Sequence, residues 1–313
     1  MKIYITGHVS PDLDTIASTV EYAEFLKKVK RYEGAQIIPV RAGNPNKETE
    51  FVFSLAGVDM PKPLDEYEIE PIDAFILVDH NEVSQRHPKV VAEQVIEIVD
   101  HHKINVNFNS PVRIDVKPVG CTGTVIYEHF EMYGIEPSHE IAQLMLAAIL
   151  SDTVGLKSTT TTGTDSTVAH AIAQKHTIDI EKLTFDIFKA KSDLSGLSAA
   201  EIVGKDYKVF DFGGKKVLIS QVETVEPEKV LANKAELIHA LEEAKVTHSV
   251  SQAYLFITDI LKLNSQAVYA TEEEQKILEK AFTAIGEGNV MDVGPRISRK
   301  KDIAPAIELT LKN

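Results

Sequence analysis

The chain has 313 residues, 43% of them hydrophobic, which is enough for one large domain or two ordinary domains with real cores. Its formal net charge of -14 argues against a general nucleic-acid-binding surface, because a phosphate backbone attracts basic proteins. The single cysteine, Cys121, excludes an internal disulfide bond and fits a reducing compartment. No apolar run reaches membrane-spanning length and the first residues lack signal-peptide features, so we expect a cytoplasmic protein with no membrane partner.

A turn rich in metal-binding side chains follows the first predicted strand. Residues 2–6 are short and β-branched, which predicts a buried strand, and helical periodicity begins about ten residues later. His8, Asp12 and Asp14 lie in the turn between them, and the spacing of the two carboxylates suits binding of two cations. The alternative interpretation is that Asp14 or Thr15 caps the helix and that Asp12 only turns the chain.

Two later apolar runs also end in acidic and imidazole side chains. Residues 74–78 predict a strand that is followed by Asp79, and residues 95–99 predict another that is followed by Asp100-His101-His102. In an open parallel sheet the ligand crevice lies outside the carboxyl ends of the strands, at a reversal of strand order. We therefore expect the three polar strand ends to converge.

A very apolar predicted helix supplies one more carboxylate. Residues 141–150 are almost entirely hydrophobic and run directly into Asp152, where a charged group is poorly placed for simple solvation. The alternative is that Asp152 caps whatever follows. Residues 158–164 are a tract of Ser, Thr and Gly that predicts a polar loop turning on its own hydroxyl groups.

The pattern changes after a small, polar, glycine-containing segment at residues 191–198, which predicts a linker and hinge. Beyond it the predicted strands are residues 217–222, 254–260 and 267–270, and the predicted helices are residues 226–243 and 272–284. We predict an α/β fold with an N-terminal, Rossmann-like, parallel-sheet domain over residues 1–190. A smaller C-terminal α/β domain with a mixed sheet would cover residues 199–313.

A basic run near the C-terminus contrasts with the acidic whole. Arg296, Arg299, Lys300 and Lys301 fall within six positions and are followed by Asp302. A solvated charged loop is the alternative interpretation. Beside a polymetal site the run fits a phosphate clamp, because Arg offers a bidentate fork and Lys a compact positive charge.

Five motifs together resemble one protein family. They are GHVSPDLDTIAS at residues 7–18, VDH at 78–80, DHH at 100–102, SDT at 151–153 and SRKKD at 298–302. This set resembles the family II, manganese-dependent inorganic pyrophosphatases of the DHH phosphoesterase superfamily, over essentially the whole chain. The C-terminal domain would accordingly be DHHA2-like and bind substrate.

The resemblance implies specific roles for individual residues. The implied metal ligands are His8 and Asp12 for one cation, Asp14, His101 and Asp152 for the second, and Asp79 as the bridge between them. The implied substrate-binding residues are His102, Arg299, Lys300 and Lys208, with Lys205 an open alternative to Lys208. His102 and Asp79 would be the catalytic pair.

The resemblance also implies a reaction, cofactors and a partner. The reaction would be hydrolysis of pyrophosphate to two orthophosphates in the interdomain cleft, with a water or hydroxide between two metal ions as the nucleophile. Mixed His and Asp ligands favour Mn(II), or Co(II) in its place, with Mg(II) arriving with the substrate. The family resemblance further implies a homodimer through a sheet edge of the N-terminal domain, and the acidic net charge predicts no nucleic-acid partner.

Some positions depart from the family pattern, and other functions remain open. Ser10, Thr159 and Asp302 stand where the family commonly has Asn, Pro and Gln, and Asp302 sets a carboxylate beside the basic run. An exopolyphosphatase or another DHH phosphoesterase is the nearest alternative, although the GGGH-like C-terminal motif of nuclease relatives is absent from this sequence. A non-catalytic metal-binding module is the alternative from another class. The short connection from Ser151 to Asp165 leaves no room for a nucleotide-sensing insertion.

Overall fold

The computed structural model describes residues 1–312 and divides the chain into two compact units, Met1–Lys191 and a second unit that begins at Ser192. Residues 192–198 connect the last helix of the first unit to the first helix of the second. We describe each unit by itself. Among residues 1–312, no helix combines the length and the apolar character needed to cross a membrane.

The N-terminal unit alternates strands with helices. Its strands are β1 (Lys2–Thr6), β2 (Gln36–Arg41), β3 (Lys62–Pro63), β4 (Ala74–Val78), β5 (Val95–Asp100) and β6 (Arg113–Val116). Its helices are α1 (Leu13–Lys28), α2 (Lys47–Ala56), α3 (Thr122–Met132), α4 (His139–Asp152), α5 (Gly163–His176) and α6 (Ile180–Lys191). Three single 3₁₀ turns, Leu64–Glu66, Val83–Gln85 and Ala92–Gln94, lie in the connections.

All six strands of this unit form one parallel sheet, in the order β3-β2-β1-β4-β5-β6. The parallel-sheet prediction is confirmed. The strand order reverses between β1 and β4, so the switch point of the sheet lies where these two neighbours end. The turns after β1, β4 and β5 therefore open at one edge, and they carry the polar strand ends that the sequence singles out.

The buried central strands and one buried helix explain this arrangement. Every residue of β4 is buried, as expected for a parallel strand covered on both faces. Helix α4 is buried from Ile141 through Ser151 with one exception, Gln143, and it packs against α1, α2 and α5. This packing places Asp152, the last residue of α4, near Asp14 in the first turn of α1.

The start of α1 differs from the alternative interpretation of the first turn. The N-cap is Asp12, whose Oδ1 accepts a hydrogen bond from Thr15 N at 3.0 Å. Asp14 is not a cap; it lies inside the first helical turn and is fully buried. The cap uses Oδ1 of Asp12, and the other oxygen, Oδ2, lies 3.8 Å from His8 Nε2.

The C-terminal unit is a five-stranded sheet with helices on both faces. Its strands are β7 (Tyr207–Phe212), β8 (Lys215–Thr224), β9 (Gln252–Asp259), β10 (Asn264–Val268) and β11 (Val290–Gly294). Its helices are α7 (Ala199–Lys205), α8 (Pro227–Leu231), α9 (Lys234–His248), α10 (Glu272–Phe282) and α11 (Ala304–Lys312), preceded by a π-helical turn at Arg299–Ile303.

The second sheet has the order β11-β10-β9-β8-β7, with β8 and β9 parallel and every other pair antiparallel. The mixed-sheet prediction is confirmed. Strand β9 is buried along its whole length: Tyr254 and Phe256 belong to the core on one face, and Leu255 and Ile257 to the core on the other. Successive side chains of β9 thus pack into the cores on the two opposite faces of the sheet.

One predicted helix is two helices. The chain breaks between α8 and α9, where the carbonyl of Asn233 accepts the first bonds of α9 from Glu236 N at 3.0 Å and Leu237 N at 3.1 Å. Asn is a poor helix former and an acceptable start residue, which favours this break. The sequence also left β6, β7 and β11 unassigned.

Candidate metal centre

The side chains that follow β1, β4 and β5 meet at one carboxylate. His8 Nε2 lies 3.5 Å from Asp79 Oδ2, and His101 Nε2 lies 3.3 Å from Asp79 Oδ1. The two imidazoles therefore face different oxygens of the same carboxylate. A carboxylate flanked in this way can hold two cations side by side, one on each oxygen.

The orientation of Asp79 is fixed by its backbone and by two hydroxyl groups. Its φ of 57° is in the left-handed region, which is uncommon for a residue other than glycine and often marks a functional site. Thr15 Oγ1 donates to Oδ2 at 2.5 Å, and Thr122 Oγ1 donates to Oδ1 at 3.0 Å. Gly7 allows Thr15 this position, since a Cβ at residue 7 would lie 2.2 Å from Thr15 Cγ2.

The two imidazoles are set up as metal ligands. Nδ1 of His8 lies 2.8 Å from the carbonyl of Val9, and Nδ1 of His101 lies 3.0 Å from the carbonyl of Val119. A carbonyl can only accept, so each ring donates from Nδ1 and directs Nε2 toward Asp79. This is the outer contact that metal-binding histidines usually make.

Three more carboxylates lie around Asp79 and its two imidazole neighbours. Asp12 Oδ2 lies 3.8 Å from His8 Nε2. Burial, together with the negative charge of Asp79, raises the pKa of Asp14 to about 7, and burial with the charge of Asp14 raises the pKa of Asp152. Carboxylates held against their own desolvation and mutual repulsion are typical of a site built for cations.

Three sets of possible ligand atoms follow from these positions. Within each set the atoms lie within 4.8 Å of one another, and the sets are His8, Asp12 and Asp79; Asp79, His101 and His102; and Asp14, Cys121 and Asp152. All six residues predicted to bind metal thus lie in these sets. Their mixture of imidazole and carboxylate donors fits Mn(II) or Co(II) better than an all-oxygen magnesium site.

Burial and the neighbouring carboxylates have opposite effects on the pKa of His8 and of His101. Burial disfavours the charged form of His8, but Asp12 and Asp79 outweigh it and raise its pKa to about 9. His101 behaves in the same way through Asp79 and Asp14, also to about 9. The negative charge that stabilises these imidazolium ions when no metal is bound is equally available to stabilise a bound cation.

His102 differs from His101 in which nitrogen is free. Its Nδ1 lies 2.8 Å from Oδ1 of Asp100, so that nitrogen is already bonded and Nε2 is left over. Asp100 is itself held by Asn81 Nδ2 at 2.6 Å and by His101 N at 2.7 Å. The side chain of His102 is 44% exposed, so its free nitrogen is accessible.

Sequence reasoning missed several residues that hold the ligands. Asp14 accepts hydrogen bonds from Thr122 N at 2.7 Å, Gly123 N at 3.1 Å and Cys121 Sγ at 3.0 Å. Thr15 appeared only as a possible cap. The available signal was the Gly-Cys-Thr-Gly run at the start of α3, small residues whose backbone amides can approach a carboxylate.

The basic residues lie in the C-terminal unit. Arg299 donates to the Asp206 carbonyl at 2.7 Å and to Asp206 Oδ1 at 2.8 Å. Lys208 lies on β7 with Nζ 5.4 Å from the centre of the Phe210 ring, and Lys300 is exposed. Lys205, the alternative to Lys208, ends α7.

Asp302, the carboxylate beside this run, is used locally. Its Oδ2 accepts from Ser298 N at 2.9 Å, while Ser298 Oγ accepts from Lys301 N at 3.2 Å. The pair forms the start of the π-helical turn. Asp302 therefore has a structural partner other than the side chains of Arg299 and Lys300.

Comparisons with known proteins identify the family of the chain. The family model described as "DHH family, N-terminal domain" matches residues 2–149, and the model described as "DHHA2 domain" matches residues 186–310. A Streptococcus thermophilus protein named "Probable manganese-dependent inorganic pyrophosphatase" is 34% identical over 98% of this chain and 97% of its own. A Clostridium acetobutylicum protein of the same name is 36% identical over 97% and 96%.

Solved structures extend the comparison. A Methanococcus jannaschii crystal structure that carries the family II inorganic pyrophosphatase name is 37% identical, covers 100% of both chains and superposes with a TM-score of 0.59. An exopolyphosphatase-related protein from Bacteroides fragilis, 16% identical with a TM-score of 0.53, shares the fold alone. The chain belongs to the DHH family and, within it, to the family II, manganese-dependent inorganic pyrophosphatases.

Proposed function

We propose that this protein hydrolyses inorganic pyrophosphate to two orthophosphates at the centre around Asp79. The observation that carries the proposal is the pair of imidazole Nε2 atoms, 3.5 Å and 3.3 Å from opposite oxygens of Asp79, in a chain of this family. Relatives that match almost the whole chain are named for this activity.

The proposed ligands form two overlapping sets that share Asp79. We assign His8, Asp12 and Asp79 to one cation, and Asp14, Asp79, His101 and Asp152 to the other. Mn(II) is the proposed resident ion, with Co(II) able to substitute and Mg(II) accompanying the substrate. When bound, such a pair of ions supplies a nucleophilic water at neutral pH and offsets charge on the attacked phosphoryl group.

The chain's own residues perform the remaining tasks. Thr15 and Thr122 hold the Asp79 carboxylate so that each oxygen faces one imidazole. Asp100 bonds Nδ1 of His102 and raises its pKa, which burial opposes more weakly. His102 then presents a protonated Nε2, which we assign to a phosphate oxygen as a hydrogen-bond and proton donor.

Positive charge for the substrate is proposed to come from Arg299, Lys300 and Lys208. A guanidinium can grip a phosphate with two parallel bonds, and ammonium groups neutralise the remaining charge. Lys300 is exposed, so its ammonium group is accessible to an anion. The hinge at residues 191–198, the interdomain active site and a cytoplasmic location stay predictions from the sequence.

We also propose a homodimer through β6. This strand ends the parallel sheet, pairs only with β5 among the described strands, and exposes 39% of Ile114. A free strand edge is a site for pairing with a second copy. Ile114→Lys is expected to give monomers in light scattering, whereas Val209→Lys, at the equally exposed edge strand β7, serves as the matched control.

The activity is tested by phosphate release from metal-stripped protein reloaded with Mn(II), Co(II), Zn(II) or Mg(II). Pyrophosphate is compared with tripolyphosphate and a dinucleotide as substrates. Fast release from pyrophosphate with Mn(II) or Co(II), lost in Asp79→Asn, supports the proposal. Preference for a longer polyphosphate or for the dinucleotide would reject pyrophosphate as the substrate, and no release with any metal would indicate a binding module.

A further inference from the structure

One short turn contacts three of the proposed metal ligands. Residues 119–124, which we name the 119–124 turn, comprise the end of the connection from β6 and the first three residues of α3. The Val119 carbonyl accepts from His101 Nδ1, the Thr122 and Gly123 amides donate to Asp14, and the Thr122 hydroxyl donates to Asp79. A shift of this turn would therefore move the partners of His101, Asp14 and Asp79 together.

Asp165, on a different helix, holds both flanks of the turn. Its Oδ2 accepts from Gly120 N at 2.9 Å, and its Oδ1 accepts from Thr124 Oγ1 at 2.7 Å. The side chain is fully buried. The two anchored residues, Gly120 and Thr124, bracket the amides and the hydroxyl that reach the ligands.

Capping of α5 alone does not account for these contacts. Asp165 forms a capping box with Thr162, accepting from Thr162 N at 2.8 Å and Thr162 Oγ1 at 2.6 Å. Those bonds complete the cap. Gly120 and Thr124 lie outside the helix and its start, so the bonds to them are an additional use of the same carboxylate. The capping bonds fix the orientation of the Asp165 carboxylate, which allows it to hold Gly120 and Thr124 in place.

The turn has no room to move toward Asp165. A Cβ at Gly120 would lie 2.8 Å from Thr153 Cγ2 and 3.0 Å from Asp165 Oδ2. Thr153 directly follows Asp152, a fourth proposed ligand. Thr153, the residue after Asp152, and Asp165 thus both pack closely against Gly120.

We propose that Asp165 is a positioning residue of the metal centre, acting through the 119–124 turn on His101, Asp14 and Asp79. The proposal rests on the proposed function, because it presumes that these three residues bind metal. Outer residues that orient metal ligands commonly alter metal affinity about 10- to 100-fold when they are changed. Asp165 is two contacts away from the ligands, so affinity is the property that it should control.

The test is Mn(II) affinity, measured on the full chain by electron paramagnetic resonance of free Mn(II), for wild type and Asp165→Asn. Asn keeps one acceptor oxygen, but it removes the charge that strengthens all of these bonds, and the Thr124 hydroxyl, which now donates, would have to accept from the amide, so the hold on the turn is weakened. We expect Mn(II) binding to weaken about 10-fold or more. Excess Mn(II) should restore most of kcat, because the ligands themselves are intact.

A matched control distinguishes positioning from loss of a cap. Glu274 is also a buried capping-box acid, with Thr271 at the start of α10, and it also ties down a neighbouring strand by accepting from Ala253 N at 2.9 Å. Glu274→Gln makes the same chemical change at a residue that contacts none of the proposed ligands. It is expected to lower thermal stability while leaving Mn(II) affinity unchanged.

A second variant covers the case in which Asp165→Asn does not fold. Thr124→Val removes only the bond to Asp165 Oδ1 and leaves the cap of α5 intact. It is expected to weaken Mn(II) binding by a smaller factor. Unchanged Mn(II) affinity in Thr124→Val and in a folded Asp165→Asn would overturn the inference, as would an equal loss in Glu274→Gln. Wild type that binds no Mn(II) would instead reject the proposed function.

Discussion

Asp100 Oδ1 and His102 Nδ1 form a 2.8 Å hydrogen bond, whereas the neighbouring His101 directs Nδ1 to a backbone carbonyl. Two adjacent histidines therefore present their rings in opposite ways. His101 turns Nε2 into the centre at Asp79, and His102 keeps Nε2 free at the surface. The bond to Asp100 thus assigns different roles to two residues of the same type.

Removal of the His102 imidazole should affect turnover and not metal binding. We expect His102→Asn to lower kcat by about 10²- to 10⁴-fold, since a positioned proton donor contributes that range. Mn(II) affinity should change by less than about threefold, because the nitrogen nearest the centre is already bonded to Asp100. Steady-state phosphate release and Mn(II) titration measure the two effects.

The neighbouring variant provides the contrast. His101→Asn removes an Nε2 that lies 3.3 Å from Asp79, so it should weaken Mn(II) binding directly. Equal losses of Mn(II) affinity in the two variants would contradict the separation of roles.

Metal removal should destabilise the protein, because like charges then face each other. Burial and the charge of Asp14 raise the pKa of Asp152, so ionised Asp152 opposes folding when no cation is present. We expect Mn(II) at about a thousandfold excess over its Kd to stabilise wild type by about 4 kcal/mol. Thermal unfolding with and without chelator measures this gain.

Asp152→Asn should behave in the opposite way. The metal-free variant should melt above metal-free wild type, because one repelling charge has been removed, and added Mn(II) should raise its melting temperature much less. Ser166→Ala, a change of a half-buried polar residue on α5, serves as the control with a full Mn(II) response. A lower melting temperature of metal-free Asp152→Asn would argue against charge repulsion.

Glu21 makes metal-free stability depend on pH. The side chain is fully buried and neither oxygen has a hydrogen-bond partner among the described residues. Burial, with smaller effects from Asp14 and Asp79, raises its pKa well above 4.5. The folded state therefore binds this proton more tightly than the unfolded state, and its contribution to stability is lost as pH rises from about 4.5 through the folded-state pKa.

The difference between wild type and Glu21→Gln isolates this effect. Urea unfolding of both metal-free proteins from acidic to alkaline pH should show the variant gaining relative stability as pH rises. Glu21→Met, which also removes the unpaired polar atoms at similar volume, should add about 1 to 3 kcal/mol at neutral pH. A pH-independent difference between wild type and Glu21→Gln would show that Glu21 does not titrate on unfolding.

Arg299 should not be replaceable by Lys. Its guanidinium is oriented by two bonds to Asp206, and a lysine cannot keep this geometry while offering a fork to phosphate. We expect Arg299→Lys to raise KM for pyrophosphate about 10-fold or more. Lys301→Ala removes a neighbouring exposed charge and should change KM by less than about threefold; similar KM increases in both variants would indicate a general charge effect.

Much of the fold follows from periodicity in the sequence. The strand before Asp79 is a continuous apolar run, the strand before Asp100 is apolar apart from Glu97, and residues 47–56, whose apolar side chains recur at helical spacing, form α2. The tract at 158–164 does turn on its own hydroxyls, with Ser158 Oγ 2.5 Å from Thr160 Oγ1. These elements are specified locally, by the residues that form them.

What the sequence could not show depends on tertiary contacts. Strands β6 and β7 are sheet edges with no buried residue in β6 and one in β7, so they lack the apolar pattern that identifies a buried strand. The roles of Cys121, Thr122 and Asp165 arise from contacts across more than 40 positions of sequence. Spacing within a motif carries no information about such partners.

The strand order of the N-terminal sheet also has a kinetic consequence. The proposed ligands come from the first turn, from the ends of β4 and β5 and from the end of α4, so they meet only after most of this unit has folded. Ligands so far apart in sequence form no site in the unfolded chain. Manganese should accordingly leave the rate of refolding nearly unchanged and slow the rate of unfolding, because it binds only after the sheet has formed.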